Sequence, residues 1–299
     1  MEIYHTPVLT KEIIENLYIS PNSTNIIDCT LGEGGISKSI LDNLDNINII
    51  GIDTDKSILD IAKKRLAKYK TITYIHDNYI NISKYKKSLN IDSTHNIIFD
   101  FGLSNYHLRN TDKAFSFDSH NILDMRFDEN DNLNAHKIIN GYNKQELKEI
   151  LMIYADFPNN SNTDKLLQYI IQNRPIDTCE NLKKICLNFH RNLSYKRALQ
   201  NITRIFQAIR IEVNNEFENI KNGLDEALST IDVKGKVFAI TYHSGEDKIV
   251  KKIFRDYKFS SKIKKYNIVN KKVIKPKYEE QKSNRNSRSA KLRIIERIL

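Results

Sequence analysis

Short apolar runs alternate along this chain with stretches of helical period. Asn25-Ile26-Ile27-Asp28 reads as a buried strand, Gly32-Glu33-Gly34-Gly35 as a tight turn, and Ser37 opens a helix carrying Ile40, Leu41 and Leu44 on one face. A second strand runs from Asn48 to Asp53, and a helix follows from about Ser57 to Leu66, burying Ile58, Ile61, Ala62 and Leu66. Thr71 to Ile75 and Asn96 to Asp100 are the third and fourth strands, and Gly235 to Tyr242 the fifth, with a helix over Glu246–Phe254 behind it. Thr10 to Leu17 predicts a lead-in helix with Thr10 as its N-cap. Ala290 to Ile295 alternates as a late strand. Strands alternating with helices predict an α/β fold built on a Rossmann-like, mostly parallel sheet. Residues 106–199 break the alternation, with helical spacing (Leu147, Ile150, Leu151, Tyr154; Leu166, Leu167, Ile170, Ile171) and little strand signal. They read as a helical insertion domain, a candidate for substrate recognition. Residues 1–105 and 200–299 then form one discontinuous domain, re-entered by a long helix over Asn201–Leu228.

Three predicted strands end in acids or a glycine turn on one edge of the sheet, where open α/β sheets bind ligands. Glycines let backbone N–H groups approach a ligand that a Cβ would hold off. Asp53, about 20 residues past the turn, is placed to accept from ribose hydroxyls. His76-Asp77-Asn78-Tyr79 ends the third strand, where an acid and an aromatic would frame a base or simply form a turn with a packed tyrosine. A dinucleotide fingerprint starting at Gly32 would need its third glycine where Ser37 stands, and no P-loop lysine follows. Asp28-x-x-x-Gly32-x-Gly34-Gly35 resembles the first motif of S-adenosylmethionine-dependent methyltransferases; a glycine turn in another doubly wound fold is the competing reading.

Charge changes this picture more than composition does. The 299 residues carry a net +10, and Lys258–Leu299 alone holds 14 Lys and Arg against 3 Asp and Glu, a surplus of 11. A basic end on a near-neutral body suits a polyanion such as nucleic acid. Tyr266, Tyr278, Ile268, Val269, Val273 and Ile274 interleave with those charges and predict a folded segment rather than a loose tail. Cys29, Cys179 and Cys186 form no C-x-x-C, which argues against zinc and against a disulfide framework, and no metal site is expected. The chain shows no signal peptide and no apolar run of membrane-span length, so a soluble cytoplasmic protein is expected.

Seven ordered blocks make the resemblance specific. They are His5-Thr6-Pro7-Val8-Leu9, Thr30-Leu31-Gly32-x-Gly34-Gly35, Asp100-Phe101-Gly102-Leu103-Ser104 with Ala114-Phe115-Ser116-Phe117, Leu123-Asp124-Met125-Arg126-Phe127-Asp128, Phe206-Gln207-Ala208-Ile209-Arg210, His243-Ser244-x-Glu246-Asp247, and Asn286-x-Arg288-Ser289-Ala290-Lys291-Leu292-Arg293. In this order they resemble the RsmH (MraW) family, the 16S ribosomal RNA cytosine-N4 methyltransferases. The resemblance implies a class I methyltransferase sheet with a helical insertion. It implies S-adenosyl-L-methionine as cofactor and 16S ribosomal RNA, in the small ribosomal subunit, as partner; a homodimer is compatible with it. It places Gly34, Gly35, Ile36, Asp53, Tyr79, Asp100 and His107 around the cofactor. Asp100 and Ser104 are the catalytic candidates, Asp100 either holding the reacting groups or touching only the cofactor. Arg126, Arg204, Arg210, Arg285 and Arg288 are candidates for phosphate, and His243 for the cytidine or the RNA backbone. The chain departs from the family pattern at Ile36 (usually histidine), Asn105-Tyr106 (Ser-Pro), Asp156-Phe157-Pro158 (where a Gly-Glu pair is common), Gln200-Asn201-Ile202 (His-Pro-Ala) and Gly245 (leucine). A same-fold methyltransferase on another nucleic acid or on protein, and a cofactor-binding ribosome assembly factor without turnover, are the alternatives.

Overall fold

The structure is a computed structural model and describes residues 7–104, 106–107, 113–260 and 263–299. His5 and Asn105 therefore lie outside the described residues. Two compact units are present, Met1–Ser104 with Phe217–Leu299, and Asn105–Glu216. The first boundary falls next to the expected one. The second falls later than the expected 199/200.

The first unit is a seven-stranded sheet. Its strands are β1 (Thr24–Asp28), β2 (Ile47–Asp53), β3 (Ile72–His76), β4 (Asn96–Asp100), β5 (Lys236–Thr241), β6 (Tyr266–Ile268) and β7 (Lys291–Arg297), in the order β3-β2-β1-β4-β5-β7-β6. β1 to β5 run parallel, and β7 is antiparallel to both β5 and β6. The central strands are apolar on both faces because helices cover both. One face gathers Ile26, Ile49, Ile98, Phe238 and Ile294 against Ile13 of α1 (Thr10–Asn16) and Ile36 and Ile40 of α2 (Gly35–Asn43). The other gathers Ile27, Ile50, Ile97, Phe99 and Ile295. It packs on Ile82 of α4 (Ile82–Ser88), Ile220, Leu224 and Leu228 of α10 (Glu216–Thr230), and Val250 and Phe254 of α11 (Ser244–Phe259). Each such side chain fully buried contributes about 1.5–3 kcal/mol. α3 (Lys56–Arg65) lies between β2 and β3, and α12 (Tyr278–Ser283) precedes β7.

The second unit contains α5 (Ala135–Gly141), α6 (Lys144–Ala155), α7 (Ser161–Gln172), α8 (Cys179–Phe189) and α9 (Tyr195–Val213). α9 belongs here, and that shifts the boundary. Its apolar stripe, including Ala198, Ile202, Ile205 and Ile209, is buried, and the helix packs mainly on α6 with α5 and α8 beside it. The Asn201–Leu228 helix is two helices, broken at Asn214-Asn215, where Asn215 takes φ +48°. Asn214 is part of the second unit's framework: its Oδ1 accepts from Phe127 N at 2.8 Å and its Nδ2 donates to Met125 O at 2.7 Å.

Two helix starts differ from the sequence expectation. α1 is preceded by Leu9 in the left-handed region (φ +54°), and no side chain caps it; Leu9 N donates instead to Glu280 Oε1 at 2.9 Å. Thr10 is already helical. α2 starts at Gly35, so Ser37 lies inside its first turn, buried, and donates to the Asp28 carboxylate at 2.6 Å. Among the described residues no helix is long and apolar enough to cross a membrane. No group of three or more His, Cys, Asp or Glu among them could hold a metal.

Candidate active site

The parallel strands β2, β1 and β4 are neighbours, and their carboxyl ends carry Asp53, Asp28 and Asp100. Between β1 and α2 the chain makes its glycine turn. Gly32 N donates to Asp53 Oδ2 at 2.8 Å, and Asp55 N to Asp53 Oδ1 at 2.9 Å, so this carboxylate fixes the turn and the start of α3 together. Gly34 takes φ +75°, and a Cβ there would stand 2.6 Å from Leu66 Cδ1. The turn is thus pressed onto the end of α3 at a point only glycine permits. The first N–H groups of α2 open onto this same edge, as the start of any helix leaves its leading donors without intrahelical partners. Ile36 is buried in the core, so only its backbone is available to a ligand.

Asp28 and Asp100 are the electrostatic centre. Burial pushes the Asp28 carboxyl up to about 6, against the bonds from Ser37 and Thr30, with the Asp53 charge adding to the rise. Burial pushes Asp100 up to about 7, opposed by the Tyr242 hydroxyl and reinforced by the charges of Asp28 and Glu246. Asp100 N donates to Thr30 Oγ1 at 2.6 Å, and Tyr242 Oη donates to Asp100 Oδ1 at 2.8 Å. Sequence reasoning missed Thr30, Ser37 and Tyr242. For Tyr242 the available signal was its place at the carboxyl end of the fifth strand.

Tyr79 packs edgewise on Phe99 and Phe101, with centroids 5.4 and 6.1 Å away. Its ring fits against α10 because position 223 is glycine; a Cβ there would meet Tyr79 Cδ2 at 2.4 Å. Asp77 accepts from Tyr85 Oη, Asn78 N and Asn81 Nδ2, which is the turn-forming role. Ser104 closes the first unit's early segment and is half-buried. In the second unit, His107 is buried with its ring 5.0 Å from Phe115 and 5.2 Å from Phe127.

The candidates for RNA divide sharply. Arg126 forks onto Asp124 (2.7 and 2.8 Å) and also donates to the carbonyls of Glu129 and Asp131 at 2.7 Å each. Arg204 donates through Nε to Ala155 O at 2.8 Å, at the end of α6, with its guanidinium 4.5 Å over the Phe157 ring. Arg210 forks onto Glu216 at 2.7 and 3.0 Å. These three hold the second unit's own backbone and charges. His243 caps α11: its Nδ1 accepts from Glu246 N at 3.4 Å, and the Glu246 carboxylate accepts from Tyr242 N (2.7 Å) and His243 N (3.3 Å). Arg285 and Arg288, on a 3-10 turn over Arg285–Ser289, are exposed and have no acidic partner among the described residues.

A sheet ordered β3-β2-β1-β4-β5-β7-β6 with one reversed strand, a glycine turn after β1 and an acid closing β2 defines a class I S-adenosylmethionine-dependent methyltransferase fold. Residues 2–298 match the MraW methylase family. The chain is 35% identical to the ribosomal RNA small subunit methyltransferase H of Pseudothermotoga lettingae, over 99% of this chain and all of that protein. It is 37% identical to the protein of the same name from Sulfurihydrogenibium sp. (99% and 100% covered), and 35% identical to that of Clostridium botulinum strain Kyoto (100% of both). The protein belongs to the MraW methylase family. The donor set at the strand ends fits S-adenosylmethionine, the family's cofactor: a carboxylate that would accept from ribose hydroxyls, backbone N–H groups that would meet an anionic end, and acids that would suit a cation.

Proposed function

We propose that this protein transfers a methyl group from S-adenosylmethionine to the N4 amino group of a cytidine in 16S ribosomal RNA, within the small ribosomal subunit. The observation that carries the reading is the full-length likeness to relatives named for small-subunit ribosomal RNA, spanning both the sheet and the helical insertion.

When bound, the cofactor supplies an electrophilic methyl on a sulfonium. The protein's own residues do the rest. Backbone groups of Gly34, Gly35 and Ile36 and the Asp53 carboxylate would hold the cofactor, with Tyr79 and Asp100 completing its surroundings. A cytosine amino group is a weak nucleophile because its lone pair is delocalised into the ring. Asp100 accepts its N–H hydrogen bond and favours the pyramidal geometry that reaction needs, and Ser104 contacts the base. Holding two reactants in alignment lowers a barrier by about 7–11 kcal/mol. A base in structured RNA must leave its stack to reach such a group. The basic end supports the RNA reading: Lys271, Lys272, Lys275, Arg285 and Arg288 are exposed without acidic partners among the described residues, and Tyr278, 75% exposed, stands among them.

The test uses purified protein, radiolabelled S-adenosylmethionine and small subunits from cells lacking this gene. Label mapped by mass spectrometry to N4 of one cytosine is expected. Cofactor binding with no label in subunits, naked RNA or protein would point to an assembly factor without turnover.

A further inference from the structure

We propose that Tyr242 is a positioning residue for Asp100: its hydroxyl holds one carboxylate oxygen at the end of β4, leaving the other to meet the amino group of the acceptor base. The inference rests on the function proposed above.

Tyr242 is anchored at three points. It follows β5, the parallel neighbour of β4, where Asp100 is paired with Ile240. Its backbone N–H is held by Glu246 Oε2 at 2.7 Å, and Glu246 is itself only 1% exposed. Its ring lies on Gly102, at φ +109°, where a Cβ would sit 3.4 Å from Tyr242 Cδ2. With backbone and ring fixed, the hydroxyl reaches Asp100 Oδ1 at 2.8 Å. On the other side, Thr30 Oγ1 holds the Asp100 backbone N–H. Among the described residues Tyr242 is the side chain that donates to this carboxylate.

The donor matters because the other charges facing Asp100 are acids. Asp28 reaches it from β1 and Glu246 from α11, and both disfavour its ionised form. Burial first, then the charge and hydrogen bond of Asp100 and the charges of Glu246 and of Glu280 of α12, keep the Tyr242 phenol protonated, so the proton stays in the bond. Exchanging an N–H for an N–CH3 on an amino group releases one proton, and Asp100 can take it up only when its carboxylate is ionised. A hydroxyl that stabilises the carboxylate therefore sets the lower pH limit of the reaction as well as the rotamer.

The experiment is Tyr242→Phe, which keeps the ring on Gly102 and removes the hydroxyl. Asp100 is titrated by its carboxyl 13C signal, assigned with Asp100→Asn, in the full-length protein. The midpoint is expected to rise by about one unit, as loss of one hydrogen bond to a charged group implies. The acid limb of kcat for methyl transfer to small subunits moves up with it, about fivefold lower near neutral pH and recovering at higher pH, while the KM for S-adenosylmethionine stays within twofold. An unmoved midpoint overturns the proposal whether or not the parent protein methylates RNA. A moved midpoint with an unmoved kcat limb overturns the positioning role. A moved midpoint in a parent protein that labels no RNA upholds the hold on Asp100 and overturns the reading of the substrate.

Discussion

Asp28 and Asp100 sit on adjacent strands, and burial weakens the solvation of their charges. Burial outweighs every hydrogen bond they receive, so both carboxyls titrate above the ordinary carboxylate range. The sign follows from proton binding. A carboxyl whose folded midpoint is raised binds more protons folded than unfolded between the two midpoints, so stability falls as pH rises through that window. For Asp100 the window runs from the unfolded value near 4 to about 7. Asp100→Asn removes the titration. Measured by urea unfolding at successive pH values, the variant's stability relative to the parent is expected to increase across pH 4–7, by on the order of 1 kcal/mol per unit of midpoint shift, and to be flat above. The identities of Asp53 and Asp100 as strand-end acids were readable from one sequence. That Asp53 would also hold the Gly32 turn, and that Asp100 would find Tyr242 142 residues away, was not.

At the scale of elements, the contact between Tyr79 and α10 shows how a helix is shaped for a site residue. Gly223 is poor helix material, disfavoured by about 1 kcal/mol against alanine, yet it lies inside α10 because the Tyr79 ring occupies the space of its missing Cβ. Gly223→Ala is expected to destabilise the protein by about 1–2 kcal/mol despite the better propensity, through overpacking. Chemical denaturation checks this, and calorimetry should show weaker S-adenosylmethionine binding as Tyr79 is displaced. Strand positions were largely legible because parallel strands buried on both faces are continuous apolar runs. Helix starts were less so. Thr10 has the residue type of an N-cap, but Leu9 N–H is satisfied by Glu280 from α12, and a tertiary partner replaces the local cap.

For the whole molecule, the surplus of positive charge lies at the chain's end, and the structure narrows it to exposed groups. Arg126, Arg204 and Arg210 bind internal partners, whereas Arg285 and Arg288 have no acidic partner among the described residues. Arg285→Ala with Arg288→Ala is expected to weaken binding to 16S ribosomal RNA at low salt and to reduce the slope of log affinity against log salt by about 1.5, since each phosphate contact contributes about 0.7–0.9. Filter binding at several salt concentrations measures it, and unchanged thermal melting shows that the fold is intact.

Sequence alone determined the order of strands and helices, the glycine turn, the strand-end acids, the helical character of the insertion and the family. All of these rest on local patterns: apolar periodicity, turn residues and short ordered motifs. Only the tertiary structure decided which arginines are spent on internal carboxylates and carbonyls, that α9 belongs to the insertion, and how burial and Tyr242 together set the state of Asp100. Those properties depend on desolvation and on partners far apart in the chain, and both come into being only when the sheet has assembled.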